Sequence, residues 1–453
     1  MKPDKRFKLP KKPNIVKITF PLDVYEMFQR LEPRFENCFL LESLTDSPES
    51  RYSIVGFAPE FIVRGNRGVL TVGKKTYKTG NPYGLLREMM PQDVISRAFA
   101  GGLVGYVSYG AAEFFEPTVK LKQRPGYDRF CFGFYTDGLI FDKVTGETDY
   151  FYYRKNRLPD IKKLIKSPPP ASKTKVVFKG MSTTKAAHAR TVLSVKEEIR
   201  KGNTFQTEVG LSSEYAVLGS LLPVYGTLRV VNPSPHMYYI RFGDTTVLGA
   251  SPELLLDLTN GELQTFPLAG TAARGKDAAE DRKLARGLLA DPKERAEHTM
   301  LVDLHRSDLG RVSRFGTVKV RRFLDVKKFS HVQHLSSEIT GLIAPGEDMF
   351  STLSSVFPAG TLSGAPKIES MKIIERNEKV GRGPYGGAVG FFGVNGNCTF
   401  VIPIRSVFAK NGVAYAQASG GIVHDSKPGS EYEEIERKLA ATKLAMDSFS
   451  RTT

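Results

Sequence analysis

No tryptophan occurs among the 453 residues, only three are cysteine, and no apolar run approaches the ~20 residues a membrane span requires. The cysteines, Cys38, Cys131 and Cys398, are far apart and odd in number. That excludes a disulfide framework and a Cys-x-x-Cys metal site, and it points to a reducing compartment, the cytoplasm. Cys131, within Arg129-Phe-Cys-Phe-Gly-Phe134, reads as a buried strand cysteine rather than a nucleophile. The Lys- and Pro-rich stretch Met1–Pro13 lacks the apolar centre of a signal peptide and reads as a solvated basic arm. No repeat or low-complexity tract is present. Gly360-Thr-Leu-Ser-Gly-Ala-Pro-Lys367 lacks the Gly-Lys-Ser/Thr ending of a phosphate loop, and Gly386-Gly-Ala-Val-Gly390 leads into a strand rather than a helix, so neither predicts a nucleotide cofactor.

What is present is a large, basic, globular chain, 41% hydrophobic with net charge +17. Single cores stop growing near ~250–300 residues, so more than one subdomain is expected. The basic residues concentrate at 2–12, 155–175 and 272–295 without aromatic interleaving or a nucleic-acid motif, which favours a small anionic substrate over a nucleic-acid partner. Strands and helices alternate without regular βαβ order, which predicts an α+β (mixed α/β) architecture. The expected division is a basic arm over 1–14, a largely β region over 15–155, a linker over 156–182 and a second region over 183–453. Helices are predicted from Thr184 to Lys201, from Asp291 with Pro292 at its first position to Gly310, from Lys367 to Arg376 and from Glu431 to about Ser448. Strands are predicted over Gly386–Phe392 and, unbroken, over Cys398–Phe408.

The most informative stretch is Tyr415–Lys438, an alternating run through Ser419-Gly420-Gly421 into a polar turn and then a helix carrying Glu431 and Glu434. Glycines let backbone N–H groups approach an anion, and carboxylates three residues apart share a helix face. Glu294 and Glu297 repeat that spacing. Spacing alone leaves two readings open: four carboxylates gathered about a divalent cation such as magnesium, or helix caps, since Asp291-x-x-Glu294 and Ser430-x-x-Glu433 both fit capping boxes. His334 is either a proton carrier or a structural histidine. Glu253, at the head of an apolar strand, is placed for burial to raise its pKa into the range of a usable acid.

These motifs, with Gly202–Gln206, Ser251-Pro-Glu253, Pro267-Leu-Ala-Gly-Thr271, Glu297–Leu304, His331-Val-Gln-His334, Gly360–Lys367 and Tyr385–Gly390, fall in the order and spacing of the chorismate-utilising enzymes. Over essentially its whole length the chain resembles the component I (large subunit) family of anthranilate synthase. The resemblance implies two sheets packed around a cleft that holds magnesium and chorismate. It implies Glu297 and Glu434 as principal magnesium carboxylates with Glu294 and Glu431 close behind, Glu253 as the acid for the departing hydroxyl, His334 at the proton of the pyruvate-eliminating step and Gln206 near the nucleophile. Thr361, Tyr385 and Arg405 would bind substrate, Ser419, Gly420 and Gly421 would offer N–H groups to a carboxylate, and Lys438 would balance charge.

Two positions separate the subfamilies. Relatives that add water carry lysine where Gln206 stands, and many aminodeoxychorismate synthases, the alternative reading, carry lysine where Ala269 stands. Glutamine and alanine lack that chemistry and favour anthranilate synthesis. The missing tryptophans suit an enzyme needed when tryptophan is scarce. Leu40-Leu-Glu-Ser43 and Asn232-Pro-Ser-Pro-His-Met237 resemble the family's feedback site, implying tryptophan as inhibitor bound near Leu41, Ser43, Pro235 and Met237, with His236 in place of the usual aromatic. His305, Ser307 and Ser419 also depart from the family pattern. No cysteine sits in an amidotransferase context, so the resemblance implies a separate glutamine amidotransferase subunit in a heterotetramer, with no nucleic-acid or membrane partner.

Overall fold

A computed structural model describes residues 6–20, 22–45, 51–91, 94–96, 99–170, 172–328 and 332–450. The first residues of the basic arm, position 171 of the expected linker and His331 lie outside them. Two antiparallel sheets organise the chain, each drawing strands from both of its halves. In the first, Asn37–Glu42 lies beside His236–Phe242, followed by Thr245–Ser251, Ser406–Lys410, Val413–Ile422 and Gln206–Leu218. In the second, Leu268–Ala273, Val332–Leu342, Glu262–Thr265, Leu254–Thr259, Cys398–Val401, Ala388–Gly393, Gly102–Val107 and Phe130–Tyr135 follow one another. The expected α+β class is what the chain adopts. The span read as a linker carries a helix, Leu158–Ile165, and a strand, Lys175–Met181, that pairs with Gln206–Leu218. Its apolar Leu158, Ile161 and Leu164 recur on one helix face and are buried, a period that the neighbouring lysines and prolines masked.

The strand expected over Cys398–Phe408 is two strands in different sheets: Cys398–Val401 pairs with Leu254–Thr259 in the second, and Ser406–Lys410 joins the first. Pro403 lacks an N–H for a ladder, and Arg405 has φ +51°, which no strand accommodates. A second crossing lies at Pro252-Glu253, between Thr245–Ser251 and Leu254–Thr259. The crossings are bonded to each other: Ile402 N–H donates to the Glu253 carbonyl (3.1 Å), Ala250 N–H to the Arg405 carbonyl (3.2 Å) and Ser251 Oγ to the Ile402 carbonyl (2.7 Å). Glu253 and Arg405 are thereby fixed where the chain passes between the sheets.

The apolar residues divide into two clusters. One, with Phe132, Phe350, Phe392 and Phe400, has Phe350 stacked on Phe392 at 4.1 Å. The other, with Leu40, Leu228, Leu248, Ile435 and Met446, joins the helices Leu222–Val231 and Pro428–Asp447 to the first sheet. Each such fully buried side chain contributes roughly 1.5–3 kcal/mol. All three cysteines are buried and unbridged, and burial pushes the Cys131 thiol up to about 12, as a strand cysteine requires. Among the described residues no helix is long and apolar enough to cross a membrane.

Candidate active site

The two glutamate pairs stand on the helices Pro292–Gly310 and Pro428–Asp447. Asp291 caps the first through Lys293 N–H (2.8 Å) and Glu294 N–H (3.2 Å), which leaves the Glu294 carboxylate free to point elsewhere. The second begins three residues before the expected Glu431, with Pro428 in its first turn and Lys427 at the N-cap, so Ser430 lies inside the helix and caps nothing. Glu294, Glu297, Glu431 and Glu434 are each half-buried, whereas Ala296 and Glu433 beside them are exposed. A methyl group placed on Gly270 would meet Glu294 Oε2 at 2.7 Å, and one on Gly420 would meet Glu431 Oε2 at 3.0 Å. Burial raises the pKa of Glu294, Glu297 and Glu431, and the charge of Glu434 raises each further. Glu434, against the cost of burial, is held below its usual value by Lys438, whose Nζ lies 2.7 Å from Glu434 Oε1 and 2.8 Å from the Ser419 carbonyl.

No three His, Cys, Asp or Glu side chains among the described residues stand in an arrangement that would close a metal's coordination shell on their own. Magnesium does not require one, since it retains several waters and takes one or two carboxylates plus oxygens of the substrate. The buried Glu431 Oε2 has no hydrogen-bond partner among the described residues, and an oxygen-only donor set under mutual repulsion suits a hard divalent cation. The donors fit the ion.

Glu253 is 4% exposed; burial pushes its carboxyl up to about 7, opposed by a 3.0 Å hydrogen bond from Thr361 Oγ1 and by the nearby Arg405 charge. His334 Nδ1 lies 2.7 Å from the Gly270 carbonyl, which can only accept, so Nδ1 carries the proton and Nε2 keeps its lone pair. Burial lowers this imidazole to about 4 and keeps it neutral. The Arg405 guanidinium makes no hydrogen bond or ion pair among the described residues, and Glu253, Tyr385, Glu434 and Glu208 all act on it electrostatically. A desolvated cation without a partner is a seat for an anion.

Ser419, Gly420 and Gly421 lie within the strand Val413–Ile422, as the alternating run predicted. They pair with Gly210, Val209 and Glu208, while Ser406–Lys410 pairs only as far as Tyr415, so among the described residues the second edge of the strand has no strand partner beyond that point. Neither glycine has positive φ; their lack of a side chain admits Glu431 at Gly420, and Gln206 with Glu208 at Gly421. Tyr385 is buried and its hydroxyl donates to Ser419 Oγ (2.9 Å), which donates to Glu208 Oε2 (2.6 Å). Glu208 went unnoticed in the sequence: in a strand of alternating residues a glutamate reads as solvent-facing, and Ser419, 211 positions away, gives no local signal. Ala269 pairs with Leu335, next to His334. The departing residue His305 is buried, its Nδ1 2.8 Å from Thr265 Oγ1, a packing role. Lys367 binds Asp308 (2.6 Å), so the glycine-rich loop's lysine is structural.

Away from the cleft, Asn37–Glu42 and His236–Phe242 are neighbours, with Met237 opposite Glu42 and Tyr238 opposite Leu41. Ser43, Pro235 and Met237 are buried and Leu41 half-buried, and Leu44 N–H donates to the Ser234 carbonyl (3.1 Å). The two segments expected to form a second site do lie side by side. His236 is uncharged, burial lowering it to about 3.

A family model described as chorismate binding enzyme matches residues 36–443, and the chain belongs to that family. The particular branch follows from its relatives. Anthranilate synthase component 1 of Leptospira biflexa is 50% identical over 98% of each chain, and that of Methanothermobacter thermautotrophicus is 42% identical over 96% of this chain and 95% of the relative. Anthranilate synthase component I from Streptococcus pneumoniae superposes with a TM-score of 0.79 at 32% identity, covering 88% of this chain and 94% of that one. The menaquinone-specific isochorismate synthase of Escherichia coli, 19% identical with a TM-score of 0.73, shares the fold.

Proposed function

We propose that this protein is an anthranilate synthase component I, which converts chorismate and ammonia to anthranilate and pyruvate. The observation that carries the reading is the pairing of an unpartnered, desolvated Arg405 with the buried acid Glu253 at two bonded sheet crossings, in a cleft faced by four carboxylates. Arg405 would hold a substrate carboxylate through its planar fork. Thr361 orients Glu253, which, still protonated near neutral pH, gives its proton to the C4 hydroxyl as the C–O bond breaks and ammonia bonds to C2. His334 Nε2, aligned by the Gly270 carbonyl, then accepts the ring proton as pyruvate leaves. Tyr385 and the open edge at Ser419–Gly421 line the substrate, and Lys438 balances Glu434. Magnesium held by Glu297 and Glu434, with Glu294 and Glu431 directly or through water, would neutralise the carboxylates and supply a counter-charge to the substrate's ring carboxylate.

Gln206 and Ala269, where lysine would serve water addition or nucleophilic attack on the ring, favour this reaction over isochorismate or aminodeoxychorismate formation. The names of the relatives support it, and component 1 implies a second component. We take that to be a glutamine amidotransferase that supplies ammonia, in a heterotetramer in the cytoplasm. Purified chain given chorismate, magnesium and ammonium is expected to form anthranilate, read by its fluorescence, with one pyruvate per turnover. An amino-chorismate product without pyruvate would instead identify an aminodeoxychorismate synthase.

Tryptophan is expected to inhibit from the strand pair Asn37–Glu42 and His236–Phe242. Ser43 is buried at its end, its Oγ 3.4 Å from Thr45 N. Ser43→Ala should retain turnover and raise the tryptophan concentration for half inhibition by about 10-fold, the loss of one to two hydrogen bonds. Unchanged sensitivity would remove this site.

A further inference from the structure

Glu208 has no place in the mechanism above, yet it is 6% exposed and stands inside the cleft. Its Oε2 accepts from Ser419 Oγ, the end of the line that begins at the Tyr385 hydroxyl. Its Oε1 accepts no hydrogen bond among the described residues, and no ion pair reaches the carboxylate. Of the cations that act on it, Lys438 is engaged by Glu434 and the Ser419 carbonyl and Arg382 by both oxygens of Glu378, while Arg405 acts on it through space without forming an ion pair among the described residues.

Next along the same strand face, Gln206 Oε1 is buried and without a hydrogen-bond partner among the described residues. Both side chains converge over Gly421, where a methyl group would meet Gln206 Nε2 at 2.3 Å and Glu208 Oε1 at 2.8 Å. Rotation about the last torsion of the amide exchanges its oxygen and nitrogen, so the oxygen can face the same point. The absence of a side chain at Gly421 thus lets two acceptors, one of them anionic, come together over the strand. A small cation with donors and no acceptor satisfies both.

We propose that Glu208 and Gln206 form the receiving site for the nitrogen donor as ammonium, and that Glu208 takes its proton. The inference rests on the reaction class proposed above. An N–H bond breaks, the proton goes to Glu208 Oε1 and the electron pair stays on nitrogen. That pair forms the C–N bond while the C–O pair departs with the hydroxyl, which Glu253 protonates to water. Charge is conserved across the step, since ammonium and ionised Glu208 become ring ammonium and ionised Glu253. Burial, with the Glu434 charge, raises the proton affinity of Glu208 and brings it nearer to that of ammonia, opposed by Lys438, Ser419 and Arg382.

The test uses the purified chain with chorismate, magnesium and ammonium chloride as the sole nitrogen source, varying each substrate and pH. Glu208→Gln should raise the KM for ammonium by about 10–150-fold, the worth of a charge-assisted hydrogen bond, while the KM for chorismate stays within about twofold. Its rate should then follow the free-ammonia fraction as pH rises, whereas the parent chain works at lower pH on ammonium itself. Glu208→Asp, which keeps the carboxylate and withdraws it by one methylene, should shift the ammonium KM the same way by less, and it decides the matter if Glu208→Gln does not fold. An unchanged ammonium KM, or equal losses for both substrates, overturns the inference alone. A parent chain that forms no anthranilate from chorismate and ammonium overturns the reaction class with it.

Discussion

Glu253→Gln is expected to lower kcat for anthranilate formation by about 10²–10⁴-fold, the usual worth of a positioned general acid, and at the same time to stabilise the protein above neutral pH. The two effects have one cause. Burial raises the folded-state pKa of Glu253 to about 7 from an ordinary value of 4.5. Between those values the folded chain binds a proton that the unfolded chain releases, so stability contributed by this group is full below about 4.5 and falls as pH rises through about 7. At pH 8 the loss is ~3 kcal/mol at 1.36 kcal/mol per unit, and glutamine, which never ionises, avoids it. Denaturant unfolding at pH 8 and pH 4 should show the variant more stable at the first and equal at the second. With ammonium kept saturating at each pH, kcat/KM of the parent chain for chorismate should decline above about pH 7 as the acid ionises. Equal stability at both pH values would mean that the cleft accommodates an ionised Glu253 and that another group supplies the proton.

Arg405→Ala should reduce kcat/KM for chorismate by about 30- to several-thousand-fold, corresponding to the ~2–5 kcal/mol lost when one partner of a desolvated charge pair is truncated. Arg405→Lys should fall between, because an ammonium keeps the charge and not the fork. No hydrogen bond or ion pair within the protein is lost, since none reaches the guanidinium among the described residues, so thermal stability should hold or rise. Steady-state kinetics in chorismate with a melting curve on the same sample check both halves. A fall in stability with unchanged kinetics would make Arg405 a structural cation. Both substitutions thus set function against stability, as expected where a cleft holds charges whose partner arrives with the substrate.

Local signals served well for the helices around the cleft. Asp291 caps the helix it was expected to cap, the helix expected from Thr184 begins just after that residue, and Glu294/Glu297 and Glu431/Glu434 each share a face. The end of a helix was harder: Pro428 and not the first glutamate opens the last one, because proline at the first position pre-sets its φ. The Ser419–Gly421 glycines were legible as close-approach positions, but what approaches them, Glu431 and the Gln206–Glu208 pair, was not.

Composition, cap residues and apolar period were enough to establish a large mixed α+β chain, the helices around its cleft, the buried thiol of Cys131 and the ordered motifs of its family, because each depends on residues within a few positions of one another. The passage of the chain between the sheets at Pro252-Glu253 and Ile402–Arg405, the single base nitrogen left on His334, the unpartnered Arg405 and the line from Tyr385 through Ser419 to Glu208 were decided only by the tertiary structure. A pKa, a tautomer and a missing partner are properties of what surrounds a group, and here the surroundings come from strands far apart in sequence.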